Sequence, residues 1–469
     1  MITLTDIQEA SPWLKDLAYT VPESSWAKRD FYYKIIDNLE HHLMLSILGL
    51  RRVGKSTIIK QVIAYLLTKV ENKTRILYYN FTSKVENTPQ AFLKELLDFY
   101  LDAVVKEPIY NVTSTCYIFL DEIQGVVDWE ETLKRYYDLS NQKLKFIVTG
   151  SQSLVIKGKS SQALAGRIFE FYLPPLSFSE FLTLNNVVIN EPYPVYKENL
   201  IQELFNNRVE LERYYLSNKL NLTKWAKEYL FYGQFPETQR MQEQEQKNLY
   251  IKESVVEKIV QDLIIYYKVD KTREFEDLTN HLIKICANEL EVNNIASEIG
   301  LTRETVTKYI DYLMQGYLFD LVYKYHRSGI RRGKMIKKVY NTSANLAVAV
   351  NSYNYTDLDL FPQVFGHIAE NVVFNKLKEL GGDIFIWKKG AKDVDFLFKQ
   401  KNFLTPIEVK FGNRIEKKDL EGILYYLKTV QAFKAIVVTK DTFEIRSFQD
   451  TNLMFIPYSL FLTIKKDKI

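Results

Sequence analysis

Nine residues, Gly49-Leu-Arg-Arg-Val-Gly-Lys-Ser-Thr57, fit the pattern G-x-x-x-x-G-K-[S/T] directly after the apolar run Leu43–Leu48. The glycines let the backbone turn successive N–H groups into one anion nest, and a helix opening at Lys55 adds its dipole and unpaired N–H groups. A polyphosphate in this loop would meet Gly49, Arg51, Arg52, Val53, Gly54, Lys55, Ser56 and Thr57. Lys55 would reach the β/γ-phosphates and Ser56 would ligate Mg²⁺. A second element supports this reading. Tyr117-Ile-Phe-Leu-Asp-Glu122 is an apolar strand ending in two acids. Asp121 is placed for a Mg²⁺ contact, leaving Glu122 to orient and deprotonate an attacking water. The expected ligand is therefore ATP with Mg²⁺, and the expected reaction is hydrolysis. A third apolar run ends in Val148-Thr-Gly-Ser151, where the hydroxyl of Thr149 or Ser151 would lie beside Asp121, or would only cap a strand-end turn.

Toward the C-terminus, side chains alternate along Asp393-Val-Asp-Phe-Leu-Phe398, so Asp393 and Asp395 share a face opposite Val394, Phe396 and Phe398. In Ile407-Glu-Val-Lys-Phe411 the same alternation pairs Glu408 with Lys410 and packs Ile407, Val409 and Phe411 inside. Glu370 has Val373 and Leu377 at +3 and +7, which puts a carboxylate on the buried stripe of a helix, where a solvated role would not put it. Lys410 either serves chemistry at these acids or simply neutralises Glu408.

Between the two acidic regions, Glu291–Leu301 and Thr302–Gln315 read as helix, turn and helix with Gly300 at the break. Val306, Tyr309, Ile310, Leu313 and Met314 form one stripe, while Arg303, Glu304, Thr307, Lys308 and Asp311 face outward. A hairpin centred on Gly329 and Gly333 follows, with Lys324, Arg327, Arg331, Arg332, Lys334, Lys337 and Lys338 and no acid among them. A winged helix–turn–helix has this order, with the wing set against backbone phosphates. The expected nucleic-acid contacts are Arg327, Arg331, Arg332, Lys334, Lys337 and Lys338. The competing reading is a rigid spacer or subunit contact.

These residues need several elements to hold them. Strand-like runs at 43–48, 76–80, 117–120, 145–148 and 168–173 alternate with helical patterns, which argues for a parallel sheet between helices, closed by Pro174-Pro175. A helical stretch follows, and strand and helix patterns return from about residue 364. The expected domains are a strap over 1–28, an α/β phosphate-binding domain over 29–180, a helical lid over 181–280, the winged module over 281–345, and an α/β domain over 346–469. A chain of 469 residues requires more than one core. Lys and Arg total 62 against 58 Asp and Glu, so the +4 balance excludes a polycation and confines any nucleic acid to a local patch. Two cysteines exclude a disulfide framework, and no apolar run spans a bilayer; the expectation is a cytoplasmic protein without membrane contact. Five histidines show no metal-ligand spacing.

The sequence resembles the bacterial and archaeal AAA-type ATPases whose C-terminal region is similar to a PD-(D/E)XK nuclease. The matching segments are 49–57, I-F-L-D-E-I-Q (118–124), V-T-G-S (148–151), L-A-G-R (164–167), L-P-P-L-S-F-S-E-F (173–181), Y-G-Q-F-P-E (232–237), K-V-Y (338–340) and I-E-V-K (407–410). The resemblance implies that Thr149 or Ser151 senses the γ-phosphate. It implies that Arg167 reaches a neighbouring subunit's nucleotide as an arginine finger in a homo-oligomer, the local alternative being an ion pair with Glu170. In the C-terminal domain it implies that Asp395 and Glu408 ligate Mg²⁺, that Glu370 supports them, and that Lys410 stabilises or activates the attacking water. The implied function is an ATP-hydrolysing machine or switch on DNA; the alternatives are a nucleotide-gated metal-dependent endonuclease and a signalling or scaffold protein with an inactive nuclease-like domain.

Overall fold

A computed structural model describes residues 2–81, 89–150, 164–189, 193–326, 336–412 and 414–467. The chain divides into two compact units, Met1–Pro174 with Gln315–Tyr317, and Pro175–Met314 with Leu318–Ile469.

The first unit is built on β1 (Met44–Leu48), β2 (Ile76–Asn80), β3 (Cys116–Asp121), β4 (Leu144–Gly150) and β5 (Ile168–Tyr172). All neighbours run parallel, in the order β2-β3-β4-β1-β5. Every residue of β1 and β4 is buried, as suits largely apolar strands covered on both faces. The helices include α1 (Leu4–Ala10), α2 (Asp30–Ile36), α3 (Lys55–Lys69), α4 (Gln90–Phe99) and α5 (Trp129–Leu139). Because β4 lies between β1 and β3, the ends of three strands come level: Ile47 pairs with Thr149, and Leu120 with Val148. The N-terminal residues dock on β2. Ser11 Oγ donates to the Tyr78 carbonyl (2.9 Å) and accepts from the Tyr78 N–H (2.8 Å), and Trp13 Nε1 donates to the Ile76 carbonyl (2.9 Å).

The second unit opens on α6 (Phe178–Leu184), whose Ser177 and Glu180 form a reciprocal capping box. The short strand β6 (Val195–Tyr196) and the long helix α7 (Arg208–Tyr232) follow. Then come α8 (Thr272–Lys284), α9 (Val292–Ile299) and α10 (Arg303–Gln315), with Gly300 ending α9 at φ +73°. An antiparallel ribbon of β7 (Phe319–Tyr323) and β8 (Lys337–Asn341) leads to α11 (Pro362–Leu380). A six-stranded sheet completes the unit: β9 (Asp383–Lys389), β10 (Lys392–Gln400), β11 (Phe403–Lys410), β12 (Lys434–Thr439), β13 (Glu444–Phe448) and β14 (Thr451–Pro457), in the order β13-β14-β12-β11-β10-β9. β9, β10 and β11 are antiparallel neighbours, while β11, β12 and β14 run parallel. The helix α12 (Glu421–Val430) crosses between β11 and β12, burying Ile423, Tyr426 and Leu427 against the sheet. The strand β15 (Lys465–Lys466) returns to pair with β6.

The segments expected as three successive domains over 181–280, 281–345 and 346–469 all fall within this second unit, apart from Gln315–Tyr317. The Tyr325 N–H donates to the Ile386 carbonyl of β9 (2.8 Å), and Asn371 of α11 brackets the Asn341 backbone, accepting from its N–H (2.7 Å) and donating to its carbonyl (2.8 Å).

Candidate functional site

At the C-terminal ends of β1, β4 and β3, the loop 49–54 turns through Gly49 (φ +153°) and Gly54 (φ +100°) into the first turn of α3. At Gly49 a Cβ would stand 2.4 Å from the Leu173 carbonyl oxygen, so both conformation and space demand glycine. Lys55 is buried, and its ammonium donates to the carbonyls of Gly49 and Leu50 (3.1 Å each) with Glu122 Oε1 at 4.0 Å. Burial lowers the pKa of Lys55 against the opposing pull of Glu122 and Asp121. Arg51 and Ser56 are half-buried at the loop, Arg52 is exposed, and Val53 is buried beneath it.

Asp121 is fully buried among neutral donors. Tyr78 Oη (3.0 Å) and Asn80 Nδ2 (3.2 Å) donate to its Oδ2, Thr149 Oγ1 donates to its Oδ1, and Ser56 adds a further hydrogen bond. Burial, then the charge of Glu122, raises its pKa. Thr149 also accepts from the Glu122 N–H (2.9 Å), so one hydroxyl bridges both acids. Glu122 sits at φ +55°, and Gln124 Nε2 donates to its Oε2. The residues present fit a Mg²⁺-bound nucleotide: the Ser56 hydroxyl and the Asp121 carboxylate already meet, beside a glycine-framed helix start. Ser151, the other candidate hydroxyl, lies outside the described residues.

In the second unit, Glu370, Asp395 and Glu408 come together as α11, β10 and β11 converge. Val409 N–H donates to Asp395 Oδ2 (2.9 Å), and Lys410 Nζ lies 2.6 Å from Glu408 Oε1. Asp393 stands exposed at the start of β10. The space between Glu370 and Asp395 is filled from β8: Lys338 Nζ donates to Glu370 Oε1 (2.9 Å) and Asp395 Oδ1 (3.2 Å), and Tyr340 Oη donates to Glu370 Oε1 (2.6 Å). Here the expectation of Lys338 on a solvent-facing wing is corrected. Alternation along β8 sends Lys338 and Tyr340 inward, and only 11% of the Lys338 side chain is exposed. Burial and Asp395 push Glu370 up to about 7 despite Lys338. Burial works to raise Asp395 as well, but Lys338, Lys410 and the Val409 N–H outweigh it and hold that carboxyl down. Burial and Asp395 raise Glu408. Among the described residues no three His, Cys, Asp or Glu side chains are gathered to hold a metal ion, and of the expected set Glu370 and Asp395 share the Lys338 ammonium.

Residues 41–182 match a family model described as an AAA domain. The first unit carries an AAA-type P-loop domain. Residues 223–357 and 365–461 match two domains of unknown function, DUF8612 and DUF4143. An uncharacterised protein of Methanocaldococcus jannaschii is 25% identical over 445 residues, covering 92% of this chain and 85% of the relative. One from Haemophilus influenzae is 23% identical over 431 residues, covering 89% of this chain and 94% of its own. Among solved structures, Cdc6p from Pyrobaculum aerophilum aligns at 11% identity and a TM-score of 0.26, over 72% of this chain and 96% of that one.

Within the AAA domain, Arg167 binds Asp138 of α5 through Nε (3.0 Å) and Nη2 (3.1 Å), not Glu170, and remains partly exposed. Of the cations expected to contact nucleic acid, Lys337 is half-buried on β8, while Arg327, Arg331, Arg332 and Lys334 lie outside the described residues. Sequence reasoning missed Tyr78, Asn80, Gln124 and Tyr340. The first two were legible as the polar positions of an otherwise apolar β2, and Tyr340 follows Lys338 at strand spacing. No described helix is long and apolar enough to cross a membrane.

Proposed function

We propose that this chain binds ATP with Mg²⁺, hydrolyses it in the AAA domain, and uses the cycle as an oligomeric switch on DNA. The observation that carries hydrolysis is the meeting of Lys55, Ser56, Asp121 and Glu122 around Thr149 at the ends of three adjacent parallel strands. Mg²⁺ would be held by Ser56 and Asp121, where it supplies charge neutralisation of the phosphates. Glu122 would accept the proton of the attacking water once Gln124 releases its Oε2, and Lys55 would exchange its loop carbonyls for phosphate oxygens. Arg167 would act in trans only by leaving Asp138. DNA contact would fall to Lys337 with Arg327, Arg331, Arg332 and Lys334. If about five cations each neutralise a phosphate, log affinity should fall against log salt with a slope of about −4.5.

The test is the steady-state ATPase rate with and without DNA, in wild type and Glu122→Gln. A rate that rises with DNA and disappears in Glu122→Gln supports the whole reading. A Glu122-dependent rate indifferent to DNA would leave the ATPase and sink the DNA role. That outcome favours a nucleotide-operated scaffold, a reading supported by the ammonium already seated among the C-terminal carboxylates.

A further inference from the structure

We propose that Lys338 is the resident cation of the C-terminal carboxylate cluster: an internal ammonium that stands in for a divalent ion and keeps this centre from binding one. Glu370 and Asp395 share one ammonium, Glu408 lies on the strand beside Asp395, and the groups that answer them belong to the chain. Lys338 joins Glu370 to Asp395, Tyr340 shares Glu370 Oε1 with it, Val409 N–H takes Asp395 Oδ2, and Lys410 takes Glu408 Oε1. A divalent ion needs carboxylate oxygens converging at about 2.0–2.6 Å. The contacts of 2.9 and 3.2 Å are instead those of charge-assisted N–H···O bonds. Every carboxylate side chain here is at most 11% exposed, and an ion bound between Glu370 and Asp395 would have to displace Lys338.

Displacement is opposed by the backbone. Lys338 pairs with Val322 across the ribbon and forms a bridge with Glu289, while Tyr340 stacks on Phe374 with ring centroids 4.5 Å apart. The ammonium therefore leaves only if β8 shifts or the long side chain swings away. The residues that resemble a metal-dependent hydrolytic centre are here an internal ion cluster joining the ribbon to the C-terminal sheet. This reading is independent of the nucleotide site.

The experiment is Mn²⁺ binding to the full chain without nucleotide, read by the electron paramagnetic resonance of free Mn²⁺. Wild type and Asp395→Asn should bind alike up to millimolar Mn²⁺. Lys338→Met should gain one site at least tenfold tighter, and Lys338→Met/Asp395→Asn should lose it again. Asp395-dependent binding in wild type, or a folded Lys338→Met without the new site, overturns the proposal. Should Lys338→Met fail to fold, acylation of Lys338 in wild type, followed by mass spectrometry, decides. A rate unchanged by millimolar Mn²⁺ supports the resident ammonium, and acceleration by Mn²⁺ refutes it.

Discussion

The AAA domain and the C-terminal domain each bury a lysine with aspartate and glutamate, yet the two groupings are wired oppositely. Lys55 donates to carbonyls of its own loop and keeps Glu122 at 4.0 Å, while Asp121 is held by the neutral donors Tyr78, Asn80, Thr149 and Ser56. Lys338 donates directly to two carboxylates. In the first case charge is positioned without being matched, which suits a site that must receive a polyanion and a cation together. In the second each carboxylate already has an ammonium partner. Residue types alone do not distinguish these states. The distinction lies in whether the cation comes from the adjacent loop or from a strand distant in sequence.

The strongest way to break the comparison is through turnover. Glu122→Gln should lower the ATPase rate by about 10²–10⁴-fold while retaining nucleotide binding, measured by steady-state turnover and by nucleotide titration. An unchanged rate would mean that Glu122 is as internally committed as Glu370. Next comes stability. Lys338→Met leaves buried carboxylates facing each other and should cost about 3 kcal/mol or more in chemical unfolding. Lys338→Met/Glu370→Gln should cost less than the sum of its two single changes, which a double-mutant cycle would read.

A pH effect of similar or smaller size follows from Glu370, raised from 4.5 to about 7. The folded state then holds this proton more tightly than the unfolded chain does. Its contribution is full below pH 4.5 and is lost as pH rises toward 7, by up to about 3 kcal/mol. Urea midpoints across that range should fall in wild type and fall less steeply in Glu370→Gln. The smallest effect concerns Arg167, whose partly exposed pair with Asp138 should contribute under about 1 kcal/mol. Arg167→Ala should therefore barely move the unfolding midpoint, so any large loss of ATPase in that variant reports a role beyond this ion pair.

Legibility followed distance along the chain. The phosphate loop and the Asp121-Glu122 strand end could be read because each motif is continuous and its period assigns the element that carries it. Glu370 was readable as buried from helical spacing alone, since the stripe is local to α11. Lys338 was misread because a strand's alternation gives two faces without saying which faces inward. Its partners stand 32 and 57 residues away. Among cations without acids, it was assigned by its neighbours' charge when β8 itself decided its direction. The strand β13 was hard to read for a related reason: half-buried residues such as Ile445 and Arg446 carry a weak period.

The docking of Ser11 and Trp13 on β2 has a consequence for assembly. β2 ends its sheet, and the outward groups satisfied there, the N–H and carbonyl of Tyr78 and the carbonyl of Ile76, are those a strand from another copy would seek. The N-terminal residues act as a false strand that ends the sheet chemically as well as spatially. While the segment stays docked, a strand of another copy finds those backbone groups already taken. Removing the segment would convert a finished border into an adhesive one.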